Sequence, residues 1–111
     1  MHYTINEREL SIGGNKLSFD YPIDDILGIS EMLIIRLEPS SGIIYNENVF
    51  GVSLIEKNIK WQITKMKYHE RDCPYTGMIL IKNQLRLFNW CSFYLDVNPV
   101  TGEVMERVDS K

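Results

Sequence analysis

From residue 9 onward the chain repeats one pattern: a short run in which apolar and polar side chains alternate, then a break at Gly, Pro, Asn or Asp. A period of two puts successive side chains on opposite faces of an extended strand, and breaks this frequent leave little room for an ordinary helix. Residues 9–12 and 16–19 flank Gly13-Gly14-Asn15, which tolerate positive φ, and predict a hairpin that Pro22 ends. Residues 24–28 predict one helical turn, with Asp24 or Asp25 capping free N–H groups and Gly28 stopping it. Residues 32–38 are apolar on both faces through Leu33, Ile34, Ile35 and Leu37, which predicts a strand in the interior of a sheet. Further strands are predicted at 43–45, 49–55 and 59–64, and in the last of these Ile59, Trp61 and Ile63 share the apolar face. Alternation fails over 65–77, which reads as a structured surface loop with room for a helical turn. It resumes at 78–81, 85–88, 93–97 and 103–108.

Composition sharpens the class. Fourteen Ile and six Val stand against no Ala at all, a balance that suits pleated surfaces better than helix faces. Short connections make neighbouring strands antiparallel, so the expectation is a single all-β domain over 1–111. Its meander hides its edges by curling into a small barrel or a two-layer sandwich, with at most one or two short helical turns. A chain of 111 residues buries roughly two thirds of its unfolded surface and needs no metal or disulfide to fold. No apolar run exceeds that of 32–35, which Arg36 breaks, against the roughly 20 residues of a membrane span. The first ten residues hold Glu7, Arg8 and Glu9 and no apolar core, unlike a secretory signal. The expected site of action is the cytoplasm.

The densest run of reactive side chains is His69-Glu70-Arg71-Asp72-Cys73. On a helix, His69 and Cys73 would share a face as an imidazolium and thiolate pair, the basis of a small thiol-dependent hydrolase. Pro74 argues that any such helix stops there, and the simpler reading is a solvated loop with an incidental thiol. His2, His69, Cys73 and Cys91 lack the paired spacing of a zinc site, so no metal and no cofactor are expected. Cys73 and Cys91 could pair if the fold brought them together, although a reducing cytoplasm keeps thiols free. Gly13-Gly14 precedes a strand and not a helix N-terminus, which excludes a phosphate-cradling loop. Adjacent Asp24 and Asp25 point in different directions and do not make a glycosidase pair. A single-stranded nucleic-acid site remains as an alternative, because Lys57, Lys60, Lys65, Lys67 and Arg71 interleave with Trp61 and Tyr68. Trp61 on the apolar face and a pI near 5.3 both oppose it.

Protein recognition fits the residues better. Residues 1–56 carry nine acids against three bases, and residues 57–111 six acids against nine bases, so the halves are −6 and +3 and sum to −3. Tyr45 beside Asn46-Glu47-Asn48, Tyr68 and Tyr75 in the long loop, and Trp90 after Asn89 are large amphipathic side chains near turns, the kind that anchor interfaces. Residues 48–63 and 93–105 resemble short pieces of quinoprotein-type propeller repeats, although a whole propeller needs several such blades. Asn89-Trp90-Cys91, Leu95-Asp96 and Thr101-Gly102-Glu103-Val104 are similar to hairpins of small bacterial β proteins. The short, acidic, Ile-rich, Ala-free chain as a whole resembles the small immunity proteins of bacterial toxin–immunity systems, of the polymorphic and contact-dependent inhibition kind. That resemblance implies a non-enzymatic domain that neutralises a cognate toxin, such as a nuclease, by covering its active site. The charge and aromatic argument assigns Asp24, Asp25, Glu31 and Glu47 as complementary acids and Tyr45, Tyr68 and Trp90 as anchors toward a basic toxin domain. Nucleic acid and membrane are not expected partners.

Overall fold

The computed structural model describes residues 3–64 and 72–109, and among these the regular elements are all strands. They are β1 (Tyr3–Asn6), β2 (Glu9–Ile12), β3 (Asn15–Ser18), β4 (Ile23–Ile29), β5 (Met32–Leu37), β6 (Val49–Ser53), β7 (Asn58–Gln62), β8 (Tyr75–Ile81), β9 (Gln84–Asn89), β10 (Phe93–Val97) and β11 (Val104–Asp109). Every pairing is antiparallel between consecutive strands, which gives three meander sheets in the orders β1-β2-β3, β4-β5-β6-β7 and β11-β10-β9-β8.

The middle sheet is apolar on both faces, and each face has its own core. Leu33, Ile35 and Leu37 of β5 and Phe50 and Val52 of β6 pack with Leu10 and Ile12 of the first sheet. Met32, Ile34, Val49, Trp61 and Ile63 pack instead with Leu85, Leu87, Phe93, Leu95 and Val97 of the third sheet. Alternate residues of β5 therefore serve opposite cores, and all six are buried, as a strand apolar on both faces requires. Each face of the middle sheet thus makes a two-layer sandwich with a neighbour.

Three expectations are corrected. Residues 24–28 form no helical turn: they lie inside β4, and Gly28 sits extended opposite Leu33. The turn comes at Ser30-Glu31, both at positive φ, closing a two-residue hairpin that pairs Ile29 with Met32. Such a turn usually advertises itself with Asn-Gly, so Ser-Glu gave no signal. Residues 43–45 are not a strand and run irregularly between β5 and β6. Finally, β8 begins at Tyr75 and not at 78, because a bulge between Tyr75 and Gly77 breaks the alternation there. The first strand, β1, had no alternation strong enough to be read.

Trp61 fills the joint between the middle and third sheets. A Cβ at Gly51 would lie 2.1 Å from its Nε1, and one at Gly102, whose φ is +79°, would lie 2.6 Å from the ring. The indole occupies the space two glycines leave, and its Nε1 donates to the Pro99 carbonyl at 2.9 Å. It faces the core, as its position on the strand predicted, and offers no stacking surface for a base.

Candidate functional site

The connection between β5 and β6 and the start of β8 form the two walls of a groove of about 480 Å³. Glu38, Ile43, Ile44 and Tyr45 line the first wall, and Asp72, Pro74 and Trp90 the second. Large apolar side chains stand open to solvent here: Ile43 is 45%, Ile44 58% and Trp90 67% exposed. Solitary exposed apolar residues need no explanation, whereas three on one concavity mark a surface suited to a partner.

The groove is built on rigid supports. Asn48 is buried, and its side-chain amide acts as a strand edge: Nδ2 donates to the Leu37 and Tyr75 carbonyls, and Oδ1 accepts from the Tyr75 N–H. This ties the middle sheet to β8. Asn46 Oδ1 accepts from the Cys73 N–H at 2.9 Å, and its Nδ2 donates to Asp72. Asn89, also buried, donates to the Cys73 carbonyl and accepts from the Cys91 N–H. Trp90 N–H donates to the Pro74 carbonyl at 3.0 Å. Cys73 and Cys91 are joined by a disulfide with their Cα atoms 5.4 Å apart. Asn46 and Asn48 therefore hold the short segment 72–75 against the first wall, and Asn89 and the disulfide hold it against the turn that carries Trp90. In sequence these asparagines read only as polar corners, because an Asn that imitates a strand edge looks like an Asn in a turn.

On the first wall, Tyr45 leans on Tyr21 with ring centroids 5.2 Å apart, and its hydroxyl accepts from Gln62 Nε2. Burial holds that hydroxyl above its usual range, against the Gln62 hydrogen bond, and the charges of Asp20 and Glu47 add to the rise. The Tyr21 contact and the Gln62 hydrogen bond hold the Tyr45 ring in place. At the same end of β5 the guanidinium of Arg36, nearly enclosed, binds Asp24 at 2.5 Å and Glu38 at 2.6 Å and lies 3.7 Å from Asp25. Three acids around one base leave this corner net negative.

The family described as a domain of unknown function, DUF7957, matches residues 1–108. The chain belongs to the DUF7957 family. No curated protein and no solved structure matches it.

Against this geometry the residues singled out in sequence separate into groups. Tyr45 and Trp90 face one groove from opposite walls. Asp24 and Asp25 meet at the Arg36 corner, where their first task is to neutralise a buried cation. Glu47 lies close enough to act on Tyr45, and its carbonyl accepts from Gln62. Glu31 is not brought to the site: it sits in the β4–β5 turn, at the other end of β5 from Glu38, about 20 Å away at the rise of a strand. Tyr68 and His69 lie outside the described residues, as do Lys65, Lys67 and Arg71. Cys73 cannot act as a nucleophile while its sulfur is bonded to Cys91. Lys60 of the basic stretch pairs with Glu56. Among the described residues no cluster of three His, Cys, Asp or Glu side chains is arranged to hold a metal ion, and no helix is long and apolar enough to cross a membrane. Glu38, Ile43 and Ile44 were missed because 43–45 read as a strand beyond a turn at 39–42, and the three asparagines because they read as polar corners.

Proposed function

We propose that this chain is a non-enzymatic protein-binding domain that takes a basic partner in the groove between Tyr45 and Trp90. Within that class it is an immunity protein that neutralises a cognate toxin by covering its active site. The observation that carries the reading is the convergence of Tyr45 and Trp90, distant in sequence, on a single rigid concavity with exposed Ile43 and Ile44. A large amphipathic ring that is already fixed loses little freedom on binding, which is how a few residues come to dominate an interface. The choice of a basic partner rests on charge. Glu38 and Asp72 line the groove, Asp24, Asp25 and Glu38 share the one guanidinium of Arg36, and the first half of the chain carries −6. A nuclease-like toxin, whose own site must attract phosphate, presents the matching sign.

A cytoplasmic site of action belongs to the same proposal. There the burial of Cys73 and Cys91 has to shield their bond from the cellular thiol pools for the groove to keep its shape.

The test uses the purified product of the reading frame beside this chain's gene. A one-to-one complex is expected, with Trp90→Ala and Tyr45→Ala each weakening it at least tenfold while the variants stay folded by circular dichroism. Affinity should fall with salt, as steering by opposite charges requires. Absence of a complex, or a complex indifferent to both substitutions, overturns the reading.

A further inference from the structure

We propose that the Cys73–Cys91 bond is a redox gate on the groove: oxidised, it holds the Pro74 wall against Trp90, and reduced, it releases that wall and the partner with it. The inference rests on the docking reading above and adds its regulation.

Position in the fold argues for a local role. β8 and β9 form a hairpin closed at Lys82-Asn83, and their last ladder pair at the open end is Tyr75 with Asn89. The disulfide lies just beyond that pair, joining residues on either side of the open end. Breaking it leaves the ladder intact and frees only the segments that carry Pro74 and Trp90. The contacts that hold these segments then include the hydrogen bonds of Asn89 to the Cys73 carbonyl, Cys91 N–H to Asn89, Trp90 N–H to the Pro74 carbonyl, and Asn46 to both the Cys73 N–H and the Asp72 carboxylate.

Cys91 Sγ lies 3.4 Å from the Asp72 carbonyl oxygen. After reduction a thiol there replaces the covalent bond with one weak S–H···O contact to the wall, which opening breaks. The step is thiol–disulfide exchange with a dithiol: two electrons and two protons are delivered, the Sγ–Sγ bond breaks to two thiols, and the donor leaves as its own disulfide.

Both cysteines are buried, at 4% and 7% exposure, so the dithiol reaches them only when the wall opens. A partner seated against Pro74 and Trp90 blocks that opening. Binding and reduction are then coupled reciprocally, each disfavouring the other by the same factor.

Amide hydrogen exchange on the full chain tests this, comparing the oxidised form, the form reduced with dithiothreitol, and the Cys73→Ser/Cys91→Ser double variant. The amides of residues 73, 90 and 91 should exchange at least tenfold faster in the reduced chain and in the double variant. Those of Ile34, Phe50 and Leu95 should not change. Unaltered exchange at the first group overturns the gate, and so does lost protection throughout the second, which would make the bond a staple of the whole fold. Neither readout needs the partner. A wall that loosens in a chain that forms no complex removes the docking reading alone, whereas a partner that binds both redox forms equally removes the gate alone.

Discussion

Tyr75 is fully buried in the core between the middle and third sheets, yet its hydroxyl has no hydrogen-bond partner among the described residues. Burial drives its pKa far above the ordinary value of 10.0, and the opposing charge of Arg107 does not reverse the shift. The consequence for stability has a definite sign. The native state keeps the proton, whereas the unfolded chain loses it above about pH 10, so Tyr75 contributes fully below that pH and its contribution falls by about 1.4 kcal/mol per pH unit above it. Tyr75→Phe should flatten most of this alkaline loss in urea titrations between pH 9 and 11, with Tyr45, raised in the same direction, retaining a share. At neutral pH the same variant should be unchanged or about 1 kcal/mol more stable, because it removes a polar group that burial leaves unpaired. A loss of several kcal/mol at pH 7 would show that the hydroxyl has a partner after all. The sequence assigned Tyr75 to packing the loop down, and packing is what it does. That its hydroxyl would be enclosed depends on how the third sheet packs on the middle one, which no local pattern gives.

Among the elements, β4 shows best where local reading stopped. Asp24, Asp25 and Gly28 make a plausible capped turn when only their neighbours are considered. In the fold, Ile26 and Leu27 gain more by pairing with Ile35 and Ile34 in a sheet buried on both faces, and the two aspartates gain a buried guanidinium. The hairpin that results is closed by Ser30 at φ 49° and Glu31 at φ 63°, a conformation that side-chain-bearing residues enter at a cost. Replacing Ser30-Glu31 by Asn-Gly should therefore raise the unfolding free energy by about 1 kcal/mol, read as a higher urea midpoint with an unchanged slope. Because this turn lies at the far end of β5 from the groove, partner affinity should be unaffected. A fall in affinity would return Glu31 to the interface. The strands at 9–12 and 93–97 were read to the residue, since clean alternation and strong turn residues bound them.

For the molecule as a whole, the middle sheet is the shared wall of two cores, so neither outer sheet can leave without exposing β5 or β6. Unfolding should be one cooperative event. Leu33→Ala in the first core and Leu95→Ala in the second should each cost about 2–5 kcal/mol. In each variant, tryptophan fluorescence, dominated by burial of Trp61, and far-ultraviolet circular dichroism should report the same midpoint. Separated midpoints in the Leu33 variant would mean that the first sheet unfolds alone. The alternation, the turns and the absence of Ala were enough by themselves to determine an antiparallel all-β meander, the doubly buried strand β5 and the inward face of Trp61. These rest on interactions between near neighbours in the chain, where a period of two is a direct consequence of backbone geometry. Only the tertiary structure decided that Tyr45 and Trp90 share a groove, that Cys73 meets Cys91, and that Asn48 completes the edge of β8. Those meetings depend on which sheet faces bury each other, and burial is a property of the whole chain that no window of ten residues contains.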